Sequence, residues 1–190
     1  MPSGGDWGLQ RRGAVYLEGT ENVTIDSCLF TRNDGNSVML SGYNRNTLLK
    51  DIEAVWNGDS VFAAWGITDG IDGTSGEQPR GTVVDGMFCH ELGQYEKQSS
   101  CWFQAKTALT EIKNSIMFNG PRAMINFNDV CSALVIVCSR RLVVPPDGTC
   151  LVCQGFGGGN HIHDDLLFNS CRESSGAFIE FQTLADYFLI

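Results

Sequence analysis

The sequence predicts an all-β solenoid, a right-handed parallel β-helix of five to six rungs with coils of about 23 residues. Three observations predict it. Segments of one pattern recur at a fixed spacing, a second short β-rich segment follows each of them, and turn residues separate the two. The 22 glycines and frequent asparagines among 190 residues suit a chain with many tight corners.

The first strands come from RRGAVYLEG (11–19), DGNSVMLSG (34–42) and NGDSVFAAWG (57–66), in which Gly13, Asn36 and Asp59 lie 23 residues apart each time. QSSCWFQA (98–105) and PRAMINFN (121–128) fit the same template, with 23 residues again from Ser100 to Ala123. The second segments are NVTIDSCLF (22–30), NTLLKDIEA (46–54), GTVVDGMFC (81–89), ALTEIKNSIMF (108–118) and NHIHDDLLF (160–168). They are too short and too β-branched for helices. Leucine-rich and helical repeats are disfavoured, because neither L-x-x-L-x-L nor a 3.6-residue period occurs. Stacking at this spacing places Val15, Val38 and Val61 above one another. It also lines up Tyr16, Met39, Phe62, Trp102 and Ile125, either as an outward stripe on which sugar rings stack or as core.

Two places break the period. ITDGIDGTSGEQPR (67–80) reads as a long loop projecting from one rung edge, where loops often shape a binding groove. Residues 130–154 carry four of the eight cysteines and no rung pattern. Without them Asp129 joins Gly155 and a short turn leads into the next strand. The segment begins with Val, whose codons start GT, and ends with Gln, which CAG encodes. It therefore reads as a retained intron of 25 codons (25 × 3 = 75 nucleotides), and otherwise as a genuine insertion or an imperfect rung. The chain is expected to be a single domain over 1–190, truncated at both ends, with a divergent tail at 176–190.

Apolar residues form 43% of the chain and charged residues 18%, which excludes a disordered chain. The most apolar stretch, Val130 to Val144, is interrupted by charge and too short to span a membrane. The net charge of −9 and the absence of clustered Lys and Arg argue against nucleic acid. No secretion leader is visible, so the protein is expected to be intracellular or, preferably, to lack its true N-terminus here. In a secreted form the triplet Asn22-Val23-Thr24 is a glycosylation acceptor. Outside 130–154 the cysteines are Cys28, Cys89, Cys101 and Cys171. Cys28 and Cys89 read as small apolar core residues. Cys131, Cys138, Cys150 and Cys153 have a loose zinc-like spacing, and His161 and His163 share a strand face, but each set lacks the support a metal site needs. No cofactor and no metal are expected.

The segments YEKQSS (95–100), NGPRAMINFND (119–129), GFGGGNHI (155–162) and LLFNSCRESS (166–175) resemble a group of right-handed β-helix proteins in the pectin-lyase-like superfamily. The resemblance covers about residues 7–129 and 155–175. In that group the Asp runs directly into the GFGGG turn, and the chain continues past CRESS in rungs that GAFIEFQTLADYFLI replaces here. Relatives with known chemistry are polysaccharide lyases, glycoside hydrolases and uronate epimerases. The resemblance therefore implies a polysaccharide partner. The Asp-Pro-His-Asp of alginate epimerases and the paired-Asp calcium motif of pectate lyases are both missing.

Cleavage or epimerisation of a sugar polymer needs carboxylates as acid and base and a cation to neutralise a uronate. On adjacent rungs Glu96, Lys97, Arg122 and Asp129 are the candidate catalytic residues, and Trp102, Gln104, Asn126 and Asn128 the candidate substrate-binding residues. The competing reading makes them turn caps and corner charges. At the level of function the alternative is a non-catalytic repeat module or an inactive truncated product.

Overall fold

The computed structural model describes residues 11–69, 72–96, 98–121 and 124–128, together with the backbone of strands at 151–154, 161–163, 166–168 and 179–182. The described residues form no helix. The chain runs repeatedly through three short strands. The first passage is β1 (Gly13–Glu21), β2 (Thr24–Asp26) and β3 (Leu29–Thr31), and the second β4 (Asn36–Arg45), β5 (Leu48–Lys50) and β6 (Glu53–Val55). The third is β7 (Phe62–Trp65), the two-residue β8 (Pro79–Arg80), β9 (Val83–Asp85) and β10 (Phe88–His90). The fourth is β11 (Trp102–Ala105), β12 (Glu111–Lys113) and β13 (Ile116–Phe118). Then come β14 (Ile125–Asn128), β15 (Leu151–Gln154), β16 (His161–His163), β17 (Leu166–Phe168) and β18 (Ile179–Gln182).

Equivalent strands of successive passages pair, so three sheets result. The first is β1-β4-β7-β11-β14-β15-β18 with β8 beside β4, the second β2-β5-β9-β12-β16, and the third β3-β6-β10-β13-β17. Every ladder between these strands is parallel. Parallel neighbours cannot be joined by a tight hairpin, and here the chain reaches its partner by way of the other two sheets.

The corners explain the turn residues. Asn22, Asn46, Gly81 and Leu109 precede the second-sheet strands, and all have positive φ. Ser27, Asp51, Gly86 and Asn114 separate second-sheet from third-sheet strands, and Arg32, Trp56, Glu91 and Asn119 follow the third, again in the left-handed region. That conformation suits Gly and Asn best. Each corner is tied to the next passage: Asn22 N donates to Arg45 O (2.8 Å), Asn46 N to Arg80 O (3.0 Å) and Gly81 N to Ala108 O (3.1 Å).

In a strand of three, the middle side chain points inward and its neighbours outward. Leu49, Val84 and Ile112 in the second sheet, and Ala54, Cys89 and Met117 in the third, are buried in one core cluster. The first sheet adds Val38, Leu40, Phe62, Ala64, Trp102 and Ile125 to it.

The register of this column differs from the one expected. Val15 pairs with Val38, but Val38 pairs with Phe62 rather than Val61, and Phe62 with Trp102 and Trp102 with Ile125 follow. The second passage holds one residue more, a step of 24 from Val38 to Phe62. The extra residue enters at an irregularity in the β1–β4 ladder, where the step rises from 23 at Glu18–Ser41 to 24 at Thr20–Asn44, and 24 then holds at Thr24–Leu48 and Leu29–Glu53. The expected stripe of Tyr16, Met39, Phe62, Trp102 and Ile125 therefore splits. Tyr16 and Met39 pair in an outer column with Ala63, Phe103 and Asn126, while Phe62, Trp102 and Ile125 line the core.

Cys89 is not merely a small apolar filler. It forms a disulfide with Cys101, and both are fully buried. Cys28 is a free thiol.

Residues 130–150 lie outside the described residues, as do Asp129 and Gly155. Leu151–Gln154, the end of the segment read as a retained intron, forms β15 in register with β14. The passages around it are uneven. β14 pairs with β11, β16 with β12 and β17 with β13, so these three strands all sit on the fourth passage. β15 is an additional strand of the first sheet alone.

Candidate functional site

The outer face of the first sheet is apolar where a solvent-facing strand surface would be polar. Met39, Ala63, Phe103 and Ala105 are buried there as a second cluster, with Tyr16 and Trp65 packed against it. The Trp65 and Phe103 rings stack at 5.6 Å with 30° between their planes. What covers this face is the loop after β7. Gly66 N donates to Ala105 O (2.9 Å), Ile67 N to Glu77 O (2.8 Å), and Lys106 Nζ to Thr68 O (2.9 Å). From the other side Arg45 donates to Gln78 O (2.5 Å) and Gly76 O (2.7 Å). Gly66 is required for this closeness, since a Cβ there would lie 2.2 Å from Lys106 O.

Between loop and sheet lies a cavity of about 430 Å³, walled by Tyr16, Met39, Trp65, Ile67 and three cations, Arg11, Arg12 and Lys106. Among the described residues no carboxylate lines it. The Arg11 guanidinium carbon sits 3.0 Å from the centre of the Trp65 ring, and that of Arg12 is 5.1 Å from Tyr16. Although Arg11 as a residue is exposed, burial of its guanidinium lowers its pKa. The ion pairs among the described residues involve Lys50 and Lys113, and none involves these three cations. In a chain of net charge −9, that is a concentrated positive site with aromatic walls. Such walls hold guanidinium groups by cation–π attraction while leaving the N–H edges for an anion.

The expected site residues are distributed differently. Trp102 and Gln104 are fully buried and bonded to each other, with Trp102 Nε1 donating to Gln104 Oε1 (2.7 Å). Trp102 belongs to the core cluster, and neither residue reaches the cavity. Asn126 lies in the outer column beside Phe103, buried, with Oδ1 lacking a partner among the described residues. Asn128 occupies the last position of β14, opposite Ala105. Glu96 is buried at the corner before β11. Its Oε1 accepts from Gln98 N (3.0 Å), and its Oε2 has no partner among the described residues. Ser99 Oγ bridges the Glu96 carbonyl and Asp59 Oδ1, the latter at 3.3 Å. Lys97, Arg122 and Asp129 lie outside the described residues, as do Cys131, Cys138 and Cys150. Among the described residues no group of three or more His, Cys, Asp or Glu is placed to hold a metal ion, and no helix is long and apolar enough to cross a membrane.

The cavity residues were missed because Trp65 and Lys106 are 41 positions apart in sequence (106 − 65) and meet only through the β7–β11 pairing, which sets Trp65 beside Ala105. The adjacent Arg11 and Arg12 ahead of Tyr16 were the one local signal.

Fold and site together define an all-β, parallel-stranded protein with a cationic, aromatic-walled cavity on one sheet. No family model, curated protein or solved structure matches the chain.

Proposed function

We propose that the three sheets are the faces of a right-handed parallel β-helix of the pectin-lyase-like kind, and that the chain binds an acidic polysaccharide across the outer face of the first sheet. The cyclic order of the sheets and the recurring 23-residue step support the fold reading. The observation that carries the function is the cavity with Arg11, Arg12 and Lys106 around Tyr16 and Trp65. Uronate carboxylates pair with guanidinium N–H groups, and the apolar faces of sugar rings pack on aromatic side chains.

The test is calorimetric titration with uronate oligosaccharides and with neutral ones of equal length. Uronates should bind, more weakly as salt rises, and Arg11→Ala with Lys106→Ala should weaken them at least tenfold. Equal affinity for both sugars, or none for either, removes the proposal. Reducing ends and unsaturated products are followed in the same mixtures, and their appearance would replace the binding reading with an enzymatic one.

A further inference from the structure

We infer that this chain folds in an oxidising secretory compartment and carries an N-linked glycan on Asn22. Two unconnected observations converge on that route. The first is the Cys89–Cys101 disulfide, which joins β10 of the third sheet to the residue before β11 of the first. Both cysteines are fully buried, so the bond must form while the third and fourth passages come together. Structural disulfides form and persist where thiols are kept oxidised, and are rare where glutathione keeps them reduced.

The second is the triplet Asn22-Val23-Thr24, the sole Asn-x-Ser/Thr in the 190 residues. It stands at the corner between β1 and β2, and Asn22 and Thr24 are both exposed. Asn22 has φ 56, in the left-handed turn conformation that Asn adopts more readily than most residues. Its side-chain Oδ1 accepts from Asn46 Nδ2 (3.2 Å), which leaves the amide nitrogen Nδ2 directed away from that bond. A glycan there displaces no packed side chain. The donor is an oligosaccharide on a lipid pyrophosphate. Asn22 Nδ2 attacks the anomeric carbon, the bond from that carbon to the pyrophosphate oxygen breaks, the lipid pyrophosphate leaves, and the amide gives up one proton. The Thr24 hydroxyl completes the acceptor triplet.

The experiment uses the whole chain behind a heterologous secretion leader in eukaryotic cells. Intact mass is read before and after peptide N-glycosidase, with thiols alkylated without reductant, on both secreted and intracellular membrane-enclosed protein. The expected result is one glycan, released by the glycosidase with Asn22 converted to Asp. It should be lost in Thr24→Ala and retained in Thr24→Ser, both exposed changes that leave the fold intact. Cys89 and Cys101 should appear as one cross-linked, unalkylated peptide pair. An unglycosylated wild type, a glycan that survives Thr24→Ala, or alkylation of both cysteines overturns the inference. None of these outcomes depends on the polysaccharide cavity.

Discussion

Leu109 occupies a corner that its equivalents fill with Asn22, Asn46 and Gly81. It has φ 55 and is exposed, so it carries the left-handed strain of a branched residue without buried contacts to offset it. Leu109→Asn should raise stability by about 0.5–1 kcal/mol, read from the urea midpoint. The disulfide acts in the opposite direction. Cys89→Ser should lower stability by about 2–5 kcal/mol, and reductant should lower the wild type similarly while leaving the variant unmoved. Asn44 is a third residue whose side chain sets structure. It is fully buried, accepts from Thr20 Oγ1 (2.6 Å) and donates to Ser41 O (2.9 Å). Such corner residues were legible as a class, since Gly, Asn and Asp mark turns. The disulfide was not, because Cys89 and Cys101 are 12 residues apart and become neighbours only across the corner that leads from β10 of the third sheet into β11 of the first.

At the scale of the strand, the second sheet shows how a column of side chains stabilises a ladder. Asp26, Lys50, Asp85 and Lys113 occupy successive paired positions, alternating in charge. Lys50 Nζ lies 3.7 Å from Asp26, and Asp85 helps raise the pKa of Lys113, though less than its hydrogen bond with Glu111 does. A raised lysine pKa means this stabilisation is complete below the ordinary lysine range and fades as pH climbs through the higher folded value. Asp85→Lys would set three like charges in line. It should cost about 1 kcal/mol at low salt and less at high salt, by unfolding at two ionic strengths. In consecutive strands, Ile112 of β12 is buried and Ile116 of β13 in the third sheet is 38% exposed. Ile112→Ala should cost about 2–5 kcal/mol, whereas Ile116→Ala should stay within about 0.5 kcal/mol. The strands themselves were legible from length and β-branching. Their register was not, because a repeat read at a constant 23 does not register the single residue that β4 gains between Ser41 and Asn44. That slip put Tyr16 and Met39 on the outer face and Phe62 and Trp102 in the core, so the stripe read as either outward or core is divided between the two.

For the molecule as a whole, the uneven count of strands bears on residues 130–154. β14, β16 and β17 each sit on the fourth passage, which is what direct continuation from Asp129 to Gly155 requires. A chain lacking 130–154 should keep its β-sheet circular dichroism and cooperative unfolding, and transcripts should include a form shorter by those 75 nucleotides. If all transcripts retain the segment and its deletion abolishes folding, β15 is a native strand and the retained-intron reading fails. The loop over the first sheet makes a matching prediction for the cavity. Gly66→Ala forces backbone apart at Lys106, so it should reduce uronate binding several-fold with little change at the second and third sheets by hydrogen exchange.

The exclusively parallel pairing also governs how fast this chain can acquire its shape. Tyr16 meets Met39 across 23 residues and Phe62 meets Trp102 across 40, so no ladder starts from a local hairpin. The first pair of passages must close loops of that length before any ladder bond repays the entropy, which makes initiation slow. Once two passages are docked, each new one lands on a formed edge. Refolding should therefore show a lag followed by rapid growth, as in crystallisation, rather than the single exponential of a small helical domain.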